Sequence, residues 1–138
     1  EDLARIRRHV ADRAGMGFIT IERSFDLPAA LPRLDRRGAV LFDSITACLS
    51  ERMFPPEGPD GGAGRRVLEE LLAVSACPAH FIAVCDDIWH GGEDYRDWTE
   101  VYVRGLADIC QGLAAEFDVV CEMTAGLPHL WKGELPRV

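Results

Sequence analysis

The chain carries no Cys-x-x-Cys pair, no Gly-x-Gly-x-x-Gly element and no Gly-x-x-x-x-Gly-Lys-Ser/Thr element. It has no cationic excess either: Lys+Arg 15 stand against Asp+Glu 23, for a net charge of −8. That acidic balance argues against a sequence-independent DNA or RNA binder, because neutralising phosphates needs clustered cations. It leaves room for a local basic site that holds one nucleotide. No apolar run approaches the roughly 20 residues that a membrane-spanning helix requires. No secretory signal pattern is visible, and no internal repeat.

What is present fits one globular domain. The 138 residues are 48% hydrophobic and 28% charged, a mix that can bury a sizeable core. The five cysteines, Cys48, Cys77, Cys85, Cys110 and Cys121, are odd in number, and four sit in apolar stretches. They read as reduced, mostly buried thiols of a cytoplasmic protein.

Strands and helices are expected to alternate. A helix over Asp2 to Arg13 presents Leu3, Ile6 and Val10 on one face and Arg5, Arg8 and His9 on another. Phe18 to Glu22, rich in β-branched residues, reads as a strand. Pro28 and Pro32 flank a short helical turn. The apolar run Ala39 to Asp43 reads as a buried parallel strand, with Ser44 as N-cap of a helix over Ile45 to Phe54. Pro55 to Gly64, dense in Pro and Gly, is expected to be a mobile surface loop that holds no site.

An amphipathic helix over Arg65 to Ala76 leads to a strand over Phe81 to Asp86. A polar loop, Asp87 to Asp94, then gives way to the longest helix, about Arg96 to Phe117, with a stripe of Leu106, Ile109, Cys110, Leu113 and Phe117. Asp118 to Met123 reads as a last strand before a short tail. The alternation implies an α/β fold with a mostly parallel sheet flanked by helices, Rossmann-like and three-layered. Ligands bind such sheets at the carboxyl ends of strands, where Asp43 and Asp86 fall. Asp86, Asp87, His90 and Asp94 match no zinc spacing.

Three segments in order carry a likeness. They are Arg5-Ile6-Arg7-Arg8-His9-Val10-Ala11-Asp12-Arg13 with Thr20-Ile21-Glu22, then Val40-Leu41-Phe42-Asp43-Ser44-Ile45-Thr46, then the stretch from Asp86-Asp87 through Cys110-Gln111 to Gly126-Leu127-Pro128. Together they resemble the bifunctional adenosylcobinamide kinase/adenosylcobinamide-phosphate guanylyltransferase family of cobalamin biosynthesis. The resemblance implies a single P-loop NTPase-like nucleotide-binding domain over residues 1–138, acting as a homo-oligomer, commonly a trimer. It implies phosphorylation of adenosylcobinamide, then transfer of GMP from GTP to the resulting phosphate through a GMP–histidine intermediate. ATP, GTP and a corrinoid are then the substrates, with Mg²⁺ as the metal.

Residue by residue, the family's histidine falls on His9. Its nucleotide-contact segment falls on Val10, Ala11, Asp12 and Arg13, and two further acidic positions fall on Glu22 and Asp43. The chemistry of these side chains agrees. A neutral imidazole is a competent nucleophile toward an α-phosphate. Arg5, Arg8 and Arg13 offer guanidinium forks for phosphates, Glu22 suits a guanine edge or a ribose hydroxyl, and Asp43 suits Mg²⁺.

The chain also departs from the family. The P-loop strand and helix of such proteins would precede Glu1, and the sequence here, which does not open on methionine, is expected to lack them. The family's Asn-Glu pair stands here as Asp86-Asp87, its Val-Pro as Glu93-Asp94 and its Asn-Gln as Cys110-Gln111, and Glu100 and Arg104 invert a charge pair. A non-catalytic nucleotide-binding relative with a drifted substrate region is the alternative expectation.

Overall fold

The computed structural model describes Arg8, Ala11, residues 15–88 and residues 97–135. In chain order the elements are a 3-10 helix (Leu27–Arg33), β1 (Ala39–Asp43), α1 (Ile45–Met53), α2 (Ala63–Ser75), β2 (His80–Val84), α3 (Trp98–Glu116), β3 (Val120–Thr124) and β4 (Leu127–Lys132).

The expected parallel pairing is present in β1 and β2, in register from Ala39 opposite His80 to Asp43 opposite Val84. Their side chains alternate between two faces. Phe42, Phe81 and Ala83 pack against the core formed by the three helices, whereas Leu41, Ile82 and Val84 on the other face are exposed. Leu49, Met53, Val67, Leu71, Leu106 and Ile109 lie almost fully out of solvent at the centre. Each contributes about 1.5–3 kcal/mol by leaving water, so these six dominate the stability of the helical layer.

α1 begins where the Ser44 hydroxyl accepts from Ala47 N at 3.3 Å, the cap read from the sequence. α2 and α3 cross at two glycines. A Cβ on Gly64 would lie 3.2 Å from the Gly105 Cα, and one on Gly105 would lie 3.4 Å from the Met53 Cε. Glycine in a helix costs about 1 kcal/mol relative to alanine, and the close helix approach offsets that loss.

A buried ion pair ties the start of the fold to this layer. Arg52, 6% exposed, donates from Nη1 and Nη2 to Glu70 Oε1 and Oε2 at 2.8 and 2.7 Å. Its Nε donates to the Ser24 carbonyl, and its guanidinium stands over the Phe25 ring at 5.7 Å. Glu70 Oε2 also accepts from Leu27 N at 2.7 Å, at the entry to the 3-10 helix. The hydrogen bonds from Arg52, then that from Leu27, hold the Glu70 carboxyl below its ordinary range. Cys48 beside them donates to the Ser24 carbonyl at 3.4 Å, and burial pushes its thiol up.

Several expectations are corrected. Residues 18–22 form no strand: they have no regular structure, no strand lies beside them among the described residues, and Ile19 is 86% exposed. β-branched composition favours a pleated surface but cannot form a ladder without a partner. The last expected strand does not join the parallel sheet. β3 pairs antiparallel with β4, where a short tail is expected from the sequence. Ala125 and Gly126, both at positive φ (50° and 80°), make the two-residue turn between them, and alanine at the first position hides that signal. Lys132 at the end of β4 reaches the last turn of α3, donating to the Ala114 and Ala115 carbonyls at 2.9 and 3.0 Å.

The segment from Pro55 is a bonded connection rather than a loose loop. Asp60 N donates to the Met53 carbonyl at 2.8 Å, Gly62 N to Asp60 Oδ1 at 2.9 Å, and Arg66 pairs with Asp60. Ala63 and Gly64 already belong to α2 and are buried. Finally, the expected three layers reduce to two among the described residues, since the helices cover only one face of the parallel pair.

Two outcomes follow from this packing. Gly64→Val should lower the unfolding free energy by about 2 kcal/mol through overpacking against the α3 backbone, as measured by denaturant titration. Glu70→Gln should cost about 3 kcal/mol near neutrality, because it leaves the Arg52 charge poorly paired. The wild-type carboxyl is depressed, so its stabilising effect is full above the ordinary carboxylate range and fades as pH falls through the depressed value. The stability gap between wild type and Glu70→Gln should therefore narrow below about pH 4 in a pH series of thermal melts.

Candidate functional site

The carboxyl ends of β1 and β2 lie side by side because their register is parallel and unshifted. β1 ends on Asp43, and two residues beyond the end of β2 comes Asp86, followed by Asp87; all three are exposed. The short apolar runs deliver the chain to this edge, and acids placed there meet solvent instead of the core.

The Asp86 carboxylate is held across the gap between the strands by α1. Asp86 Oδ2 accepts from the Thr46 hydroxyl and, at 3.3 Å, from the Ser44 hydroxyl. The two hydroxyls lie 2.8 Å apart; with one proton each, Thr46 donates to Asp86 while Ser44 donates either to Asp86 or to the Thr46 oxygen. Thr46 is 7% exposed, so its side chain is fixed between the core and the edge. α3 contributes Tyr102, whose hydroxyl donates to the Thr46 carbonyl at 3.0 Å. Burial, then the nearby Cys85 and Asp86, push the Tyr102 phenol up, so it stays a proton donor. Ser44 thus has two tasks, capping α1 and contacting Asp86.

The arrangement presents hard oxygen atoms at a helix N-terminus. Such a setting suits a phosphate-bound divalent cation, since Mg²⁺ keeps several waters and takes one or two carboxylates plus phosphate oxygens. Asp43 and Asp86, with the Ser44 and Thr46 hydroxyls, fit that mode. They do not fit an all-protein metal cage: no cluster of three or more His, Cys, Asp or Glu able to hold a metal occurs among the described residues.

The structure brings together only part of the expected site. Asp43 takes its expected place at the strand end. Glu22 is exposed on the irregular segment before the 3-10 helix. Arg8 and Ala11 are helical and exposed. Arg5, His9, Val10, Asp12 and Arg13 lie outside the described residues, as do His90 and Asp94. Thr46 and Tyr102 were missed as partners of the edge. The Asp-x-Ile-Thr spacing held the signal for Thr46, but nothing local in the sequence links Tyr102 to it.

Thr46→Val keeps the shape of the side chain and removes the hydroxyl. It should cost about 1 kcal/mol in unfolding free energy, the worth of a hydrogen bond to a charged acceptor reduced by the exposure of Asp86. Chemical denaturation monitored by tryptophan fluorescence checks the value.

Residues 1–130 match the family described as Cobinamide kinase / cobinamide phosphate guanyltransferase. No curated protein matches the chain. No described helix is long and apolar enough to cross a membrane.

Proposed function

The chain belongs to the cobinamide kinase/cobinamide phosphate guanyltransferase family, a transferase family of cobalamin biosynthesis, and from that membership we propose that it phosphorylates adenosylcobinamide and then transfers GMP from GTP to adenosylcobinamide phosphate through a GMP–His9 intermediate. The observation that carries the reading is the edge formed by Asp43, Ser44, Thr46 and Asp86 in a chain that matches the family over nearly its whole length. A P-loop NTPase-like, oligomeric assembly accompanies the same reading.

The chemistry divides one phosphoryl transfer into two displacements. The neutral His9 imidazole attacks the α-phosphorus of GTP. The bond to the bridging oxygen breaks, pyrophosphate leaves, and a phosphoramidate to GMP remains. A phosphate oxygen of the corrinoid then attacks that phosphorus and releases the imidazole. Arg5, Arg8 and Arg13 hold phosphate oxygens through paired N–H donors. Val10, Ala11, Asp12 and Arg13 line the nucleotide, and Glu22 accepts from a guanine edge or a ribose hydroxyl. Asp43 and Asp86 would hold Mg²⁺, which when bound neutralises charge on the polyphosphate. Thr46 and Ser44 keep the Asp86 carboxylate aimed at the edge, so no reorganisation is needed as charge develops.

The decisive experiment is intact mass spectrometry of the full-length protein incubated with GTP and Mg²⁺. A GMP adduct should form on the wild type and be absent from His9→Asn. The yield should fall as pH drops through about 6.5, because protonation removes the attacking lone pair. Asp43→Asn should slow adduct formation at least tenfold. Nucleotide binding without any adduct in the wild type would instead support the non-catalytic relative.

A further inference from the structure

One face of α3 continues outward beyond the core. Leu106 is buried, and Gly105 approaches Gly64 and Met53. Tyr102, Val101 and Trp98 lie three, four and seven residues before Gly105, so they share its face of the helix. Toward the start of α3 that face comes into solvent: Val101 is 37% exposed and Trp98 41%. Phe54, which ends α1, is 43% exposed, and its ring stands 6.1 Å from the Tyr102 ring, tilted by 39°. The Trp98 indole rests against the connection between α1 and α2, since a Cβ on Gly61 would lie 3.8 Å from it. Packed elements thus hold these rings while part of their surface meets water. Large apolar side chains gathered in solvent mark a binding surface more often than isolated ones do.

This surface is continuous with the carboxylate edge, because Tyr102 belongs to both. Its ring meets Phe54, and its hydroxyl donates to the Thr46 carbonyl at 3.0 Å. The Thr46 hydroxyl in turn donates to Asp86. From Thr46 to Phe54 the chain follows α1 for about 12 Å at the helical rise per residue.

We propose that Phe54, Trp98 and Tyr102 form an aromatic platform that receives the methyl-bearing rim of the corrinoid macrocycle, while the arm that carries its phosphate reaches the edge at Asp43 and Asp86.

The choice of occupant rests on the reaction proposed above. There the nucleotide takes residues 5–13 and Glu22, which leaves the α1 and α3 side of the edge to the second substrate. The dimensions agree. The acceptor phosphate hangs from the macrocycle on a flexible amide-linked arm, which spans about 10 Å when extended. The ribose between a nucleobase and its α-phosphate is shorter than the span from Asp86 to Phe54. Aromatic side chains suit this task, because each offers a large apolar area and a ring face for methyl groups while few rotations are frozen on binding. The polar tip of Tyr102 is already engaged, so its ring is fixed in place before the substrate arrives.

The test measures uptake of dicyanocobinamide by the full-length protein in equilibrium dialysis, followed by the visible absorbance of the corrinoid. Phe54→Ala and Trp98→Ala should each weaken binding at least fivefold. Phe54→Tyr and Trp98→Phe should stay within twofold of the wild type. Phe54→Leu and Trp98→Leu keep apolar bulk at both places and should still weaken binding at least threefold, so the effect is read even where alanine loosens the fold; thermal melts identify the folded variants. Unchanged affinity in the folded variants overturns the platform, and so does a wild type that takes up no corrinoid. Alanine variants that lose affinity for GTP but keep it for the corrinoid also overturn it, in favour of a nucleobase at this place. The GMP adduct formed from GTP involves no corrinoid and tests the reaction separately. A wild type that forms no adduct, yet binds the corrinoid through Phe54 and Trp98, keeps the platform and loses the reaction.

Discussion

Arg52 has to be paired inside the protein, and much of the architecture is arranged around that requirement. A guanidinium this deep is tolerated only with a carboxylate and further acceptors around it. Glu70 supplies the fork from α2, and the Ser24 carbonyl supplies the remaining contact. Since Glu70 also takes the Leu27 N–H, one carboxylate closes α1, α2 and the 3-10 helix into a single unit. The path of residues 24–27 against the helices is thereby set.

α1 transmits this arrangement to the carboxylate edge. Arg52 sits in its last turn and Ser44 caps its first, less than three turns away. The anchored end fixes the helix, and the other end places Thr46 and Ser44 against Asp86. Tyr102 adds a second hold from α3. Placement of the acidic edge is therefore a property of the packed helices, more than of the two short strands that carry the acids.

The sequence makes some of this legible. Ala39 to Asp43 is found as a strand with those bounds, and the Ser44 cap is found where a β-extended serine precedes an apolar period. Those features are local, set by a run of four apolar side chains and one hydroxyl. The hairpin is not local in that sense. Nothing in Asp118 to Met123 distinguishes a parallel strand from one half of a hairpin; the turn at Ala125 and Gly126 decides it. Residues 18–22 show the converse, a strand-like composition without a neighbour to bond. At the site, Asp43 and Asp86 follow from the rule that strand ends face ligands, whereas Tyr102 reaches Thr46 across 56 residues and leaves no local trace. The histidine-bearing segment was reached through family likeness alone, as composition gives it only a solvated basic face.

The crossing of α2 and α3 has a consequence for how this protein changes over generations. Gly64 and Gly105 face each other at backbone distance, with the methyl end of Met53 closing the space beside them. A side chain gained at Gly64 presses on the Gly105 backbone of the partner helix, and no loss at Gly105 can make room, since it has no side chain to lose; one gained at Gly105 meets the Met53 and Leu49 side chains of α1. The pair is in effect one heritable unit spread over two codons. The side chains nearest Gly105 are Met53 and Leu49, so a descendant that gains a methyl at Gly105 is expected to carry a smaller residue at position 53 or 49.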